Sequence, residues 1–168
     1  QLAQVMMKGS FQMQIPQTVK ITVKGSLQGK ASAMDAFITF LGDTVMENFS
    51  GRALEFTGEG MDSMTKPQRE TFLSMVAQTG AVTAFYQKDA QGQYAKEMEF
   101  DLGAVVPVAA LPSTLYTYKP TYDYKPISEL TGIKLNQGYI GGYTGGRIED
   151  LRLAAGMFKG KHIAWGFR

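Results

Sequence analysis

Tyr139-Ile140-Gly141-Gly142-Tyr143-Thr144-Gly145-Gly146-Arg147-Ile148-Glu149-Asp150 is the stretch on which the fold turns. An apolar run at 135–141 reads as a strand and passes into a glycine-rich loop. The loop opens an amphipathic helix over 147–158, and a terminal strand over 162–165 completes a β-loop-α-β unit. A strand-to-helix loop of this kind is how α/β proteins build sites for anions and cofactors. Gly142, Tyr143, Thr144, Gly145, Gly146 and Arg147 are therefore a candidate anion site. It is neither a dinucleotide fingerprint nor a phosphate-binding P-loop, because Arg147-Ile148 stands where a P-loop needs Lys-Ser/Thr. The plainer alternative is that the glycines only permit a tight turn.

The same alternation of strands and helices extends toward the N-terminus. Val19-Lys20-Ile21-Thr22-Val23-Lys24 alternates apolar and polar residues, as a half-buried strand does. Ser32, with Asp35 three residues on, reads as the cap of a helix carrying Ala36, Phe37, Phe40, Leu41 and Val45, with Gly51 as its stop. Residues 52–57 form a second strand ended by Gly58-Glu-Gly60. Thr65-Lys66-Pro67 starts another helix, which runs to about Gln78 and closes at Gly80. Residues 81–86 and 98–102 supply two more strands, and 127–131 a short helical turn. Between them, 103–126 reads as a connection, since Pro107, Pro112, Pro120 and Pro126 remove backbone donors. The whole predicts one α/β domain over 1–168, a three-layer sandwich with a mainly parallel sheet.

Composition narrows the function classes. A chain of 168 residues, 44% hydrophobic and 19% charged, is that of a folded domain with a real core. The net charge of +2 is interspersed, which argues against a nucleic-acid partner. No apolar run reaches membrane-spanning length and no signal pattern is present, so a cytoplasmic protein without a membrane partner is expected. There are no cysteines, which removes disulfides, thiolate metal sites and cysteine nucleophiles together. His162 is the only histidine and reads as a structural residue of the terminal strand. Met6, Met7, Met61, Met64 and Met75 read as core filler. Tyr116, Tyr118, Tyr122 and Tyr124 make the best candidate surface for a protein partner or self-association; the alternative is that they pin the connection to the domain.

Several segments, in order, resemble the aconitase and isopropylmalate dehydratase large-subunit superfamily. Ile15-Pro16-Gln17-Thr18-Val19-Lys20-Ile21 is similar to the family's Val-Pro-Glu-Thr-Ile-Lys-Val. Gly25-Ser-Leu-Gln-Gly29 with Ala33-Met34-Asp35 is similar to Gly-x-Leu-x-x-Gly-Val-x-Ala-Lys-Asp. Arg52-Ala-Leu-Glu-Phe-Thr-Gly-Glu-Gly60 resembles Ala-x-Glu-Phe-x-Gly-x-Gly, and Met98-Glu-Phe-Asp-Leu102 resembles Ile-Asp-Leu-Ser. The loop resembles Gly-Ser-Cys-Thr-Asn-Gly-Arg, whose cysteine holds an iron–sulfur cluster in the family.

The resemblance implies the fold of the family's second subdomain and, by analogy, an iron–sulfur hydro-lyase. The departures point elsewhere. Tyr143 takes the place of the cluster cysteine, Ser74 that of an asparagine and Gln78 that of a glutamate. An amide has neither the charge nor the basicity of a carboxylate. The expectation is a noncatalytic, divergent aconitase-like domain (a pseudoenzyme) with a structural or binding role, without catalytic residues, cofactor or metal. The alternative is a fragment of a hydro-lyase that needs further segments or a partner chain.

Overall fold

The computed structural model describes residues 2–112, 123–164 and 166–167. Its elements run α1 (Leu2–Lys8), β1 (Thr18–Lys24), α2 (Ala33–Asp43), β2 (Ala53–Thr57), α3 (Glu59–Ser63), α4 (Lys66–Met75), β3 (Thr83–Tyr86), β4 (Lys96–Asp101), β5 (Val108–Ala110), β6 (Tyr124–Pro126), α5 (Gly142–Gly145) and α6 (Ile148–Phe158). Short 3-10 turns at Val76–Thr79, Leu102–Ala104 and Ile127–Leu130 link some of them. Among the described residues, no helix is long and apolar enough to cross a membrane.

The fold is α/β: four parallel strands in the order β3-β2-β1-β4, flanked by helices in a three-layer arrangement. One face of the sheet carries Val19, Ile21 and Val23 beside Leu54, Phe56 and Phe100, all buried. Helices α2 and α4 cover it with Phe37, Phe40 and Phe72. The outer layer consists of the antiparallel β5–β6 hairpin against α2 and of α5 against α4. Both core helices start where their caps dictate. Asp35 accepts from the Ser32 N–H at 2.7 Å, and Gln68 accepts from the Thr65 N–H at 2.8 Å. Each closes a capping box that satisfies otherwise orphaned donors.

The opposite face of the sheet is polar, which is unusual for parallel strands. Chain connectivity explains it. Strand β3 lies at one edge and β4 at the other, so residues 87–95 cross the sheet between them with no helix. Their contacts are polar: Thr57 donates to the Lys88 carbonyl (3.2 Å), Tyr94 to Glu55 (3.2 Å), and the Ala95 N–H to the Thr18 carbonyl (2.9 Å). Lys20 sits over the Tyr94 ring, 5.3 Å from its centroid, and pairs with Glu97 at 3.2 Å. At the C-terminal end of β1, Gly58 has φ +97°, and a Cβ there would lie 2.6 Å from the Val23 carbonyl oxygen. Only glycine lets α3 start so close to the strand.

The structure corrects several sequence expectations. The helix after Ser32 stops at Asp43, not Gly51: the Thr44 hydroxyl bonds back to the Phe40 carbonyl at 2.7 Å, and the chain then turns so that Phe49 stacks on Phe40. Residues 135–141 form no strand, since both sheet edges lie elsewhere and Leu135, Tyr139 and Ile140 are exposed. Residues 162–164 are not strand either, and Trp165 lies outside the described residues. His162 is exposed and belongs to no sheet. Met61, Met64 and Met75 are core, but Met6 and Met7 stand on the exposed helix α1. Part of the 103–126 connection is the β5–β6 hairpin.

Of the four tyrosines proposed as a partner surface, Tyr116, Tyr118 and Tyr122 lie outside the described residues. Tyr124 is half-buried on β6 and donates to Asp43 of α2 at 2.8 Å. Its phenol is pushed up to about 12, first by burial and then by the bond to Asp43. The neutral phenol is thus favoured in the folded state. Its contribution to stability is complete below the unfolded value near 10 and is lost as pH rises toward 12. Spectrophotometric titration should show that Tyr124→Phe removes a step near pH 12, not one near pH 10. Wild type should also lose stability relative to that variant across the same interval. Loss of a step near pH 10 would contradict the Tyr124–Asp43 hydrogen bond.

Candidate functional site

The 141–147 loop does not grow out of the sheet. It is built from the one-turn helix α5 and the N-terminus of α6, folded against α4. Its glycines follow from close packing: a Cβ on Gly146 would lie 2.7 Å from the Gly142 carbonyl oxygen, and Gly142 has φ +84°. Arg147 then enters α6, where its N–H donates to Asp150 at 3.2 Å. The acidic start of α6 thus serves that helix, where carboxylates suit the positive end of the dipole.

Beside the loop lies a cleft of about 750 Å³. One wall is the 29–32 turn with Lys30 and the start of α2 with Met34, and a second is the first half of α4 with Gln68 and Thr71, preceded by its cap Thr65. The third wall carries Thr144, Gly145, Arg147, Leu153 and Met157. Of the candidate anion residues, the structure brings Thr144, Gly145 and Arg147 to the cleft. Gly142, Tyr143 and Gly146 do not line it, and Tyr143 is 69% exposed.

Arg147 is already occupied. Its Nη1 donates to Glu70 Oε2 at 2.9 Å and its Nε to the Thr71 hydroxyl at 3.0 Å. Glu70 also lies 3.9 Å from Lys66, one turn earlier on α4. The guanidinium therefore clasps the loop to α4 and carries its own counter-ion. No local pattern marks Glu70 as its partner, because the two residues are 77 positions apart. Lys30 is a second cation at the cleft that the sequence reading passed over.

Ser74 and Gln78, the other positions that the resemblance singles out, lie outside the cleft lining. Ser74 bonds back within α4, to the Glu70 carbonyl at 2.6 Å and the Thr71 carbonyl at 3.0 Å. Gln78 sits in the 3-10 turn after α4 and is exposed.

Comparison with known proteins places this architecture. The family model described as "Aconitase family (aconitate hydratase)" matches residues 1–98, more than half of the chain. The chain belongs to the aconitase family. Aconitase-family relatives align over nearly all of it. The 3-isopropylmalate dehydratase large subunit of Hydrogenobaculum sp. (strain Y04AAS1) is 30% identical over 96% of this chain and 42% of that protein. The same-named subunit of Geobacter sulfurreducens is 29% identical, over 94% and 43%. A probable methanogen homoaconitase large subunit of Methanosarcina mazei is 27% identical, over 96% and 45%. The chain thus spans less than half the length of these relatives.

The residues present do not fit the iron–sulfur cluster that the family resemblance implies. A cluster of this kind is held by thiolates, and the sequence has no cysteine. Tyr143, in the glycine-rich loop, is an exposed phenol. Among the described residues, no three His, Cys, Asp or Glu side chains are grouped to hold a metal ion.

Proposed function

We propose that this chain is a noncatalytic, divergent aconitase-family domain with a structural or binding role, which binds no iron–sulfur cluster. The observation that carries this reading is the donor set: the chain has no cysteine, and Tyr143, where the resemblance would set a cluster thiolate, is an exposed phenol. Gln78 supports it, an amide where the resemblance has a carboxylate, and neither Gln78 nor Ser74 lines the cleft. A cytoplasmic setting is part of this proposal.

The binding capacity that remains is the cleft beside Arg147, and its chemistry suits a small carboxylate or phosphate. Arg147 and Lys30 are its cations, but Glu149 and Asp150 line it too, so binding should be weak. A dissociation constant of roughly millimolar corresponds to about 4 kcal/mol. NMR titration with citrate or phosphate should move the amides of Thr144, Gly145 and Arg147 first. Arg147→Ala should abolish those shifts, whereas Tyr143→Ala, away from the cleft, should leave them. Shifts that survive Arg147→Ala would reduce the loop to a turn. Tyr124, with the neighbouring tyrosines of the connection, is proposed as a surface for a protein partner or self-association.

A second reading has its own support. Helix α6 has no buried residue although Ile148, Leu151, Leu153, Met157 and Phe158 are apolar, and the relatives are more than twice as long. Both facts suit a fragment of a hydro-lyase completed by further segments or a partner chain. A complete open reading frame with a histidine/aspartate segment upstream and a Cys-x-x-Cys downstream would favour it.

A further inference from the structure

We propose that Glu70 is a built-in competitor for the guanidinium of Arg147, and that their ion pair is a latch through which anion binding loosens α6 from the body of the domain. The proposal rests on the anion reading of the cleft and adds how that site is controlled.

Helix α6 is short, Ile148–Phe158, and none of its residues is buried. A helix of that length has little stability of its own in water. Leu153 and Met157 face the cleft yet stay more than half exposed, so apolar packing holds α6 only weakly. The polar tie is Arg147, the capping residue just before α6. Its two bonds, to Glu70 and Thr71, join the C-terminal helices to α4.

The geometry makes this tie exchangeable. The side chains of Arg147 and Glu70 are 30% and 47% exposed, so an anion in the cleft can reach the guanidinium. Glu70 is not stranded when Arg147 leaves, because Lys66 already lies 3.9 Å away. Arg147 in turn would meet the incoming anion beside Lys30. The latch therefore has two states in which both charges keep a partner. If an anion favours the open state, opening must favour the anion by the same factor.

Hydrogen exchange of α6 amides, measured with inorganic phosphate as the probe, tests this. Relative to wild type, Glu70→Gln should speed α6 exchange about threefold, as expected for a partly exposed ion pair. Arg147→Ala, which also loses the Thr71 bond, should speed it about tenfold. Exchange in β1 should stay unchanged, which shows that the core is intact. Phosphate should speed α6 exchange more in wild type than in Glu70→Gln, where only the Thr71 bond is left to lose, and it should bind Glu70→Gln about threefold more tightly, the reciprocal of the latch.

Unchanged α6 exchange in both variants, with β1 intact, would overturn the latch. Loop shifts with phosphate but no response in α6 would leave the anion site standing and overturn its coupling. Faster α6 exchange in the variants without any phosphate binding would overturn Glu70's role as a competitor, and the anion site with it.

Discussion

Phe40→Ala is expected to cost about 3–5 kcal/mol, the range for truncating a buried aromatic. Phe40 is 1% exposed and stands at the centre of the core. Its ring lies 5.4 Å from Phe100, 5.6 Å from Phe56, 6.0 Å from Phe72, 6.2 Å from Phe49 and 6.5 Å from Phe37, centroid to centroid. It thus joins α2 to β2, β4 and α4 at once. Several of these contacts are tilted or edge-on, the arrangement that aromatic quadrupoles favour. For a chain of this length each kcal/mol shifts the melting point by about 2–4 °C, so a fall of about 10 °C is the expected order. Leu151→Ala on α6 is the control: Leu151 is 44% exposed and should cost little. Urea and thermal unfolding measure both. Equal losses would mean that α6 is packed and that Phe40 is no hub.

That core was legible in the sequence because it rests on local chemistry. Ser32 with Asp35, and Thr65 with Gln68, fix two helix starts through contacts three residues apart. Alternation in Thr18–Lys24 marks β1, whose buried residues are every second one. Expectations failed where tertiary context decides. Residues 135–141 have a strand's texture but, among the described residues, no neighbouring strand to pair with. Met6 and Met7 have the composition of core but lie on a helix that the sheet does not reach. The alternation in β1 announced a polar sheet face; what stayed hidden is that residues 87–95 cross it, because that depends on which edge β4 joins, a choice made across the whole sheet.

The candidate site was legible only in part. The 141–147 glycines and Arg147 stand out by composition, and the cleft does run along that loop. What the sequence could not show is that the cation is already satisfied. Glu70 looks like any exposed residue of an amphipathic helix until folding sets it 2.9 Å from Arg147. The same long-range pairing turns a loop that reads as an open anion cradle into a clasp.

Anaerobic reconstitution with iron and sulfide should leave this chain without stoichiometric cluster absorbance after desalting. Anaerobic assays with isopropylmalate, citrate and homocitrate should stay at background. The reason is ligand chemistry: such clusters need several thiolates converging on one point, and the chain supplies none. Tyr143→Cys is the informative variant. It adds one thiolate on an exposed loop position outside the cleft, so it too should fail to assemble a cluster. A stable cluster in the wild type would defeat the noncatalytic reading outright. A cluster in Tyr143→Cys alone would mean that other side chains converge on that position, contrary to the geometry of the loop. Turnover that appears only after a second polypeptide supplies cysteines would transfer the weight to the fragment reading, with this chain as scaffold and the partner as the source of every cluster ligand.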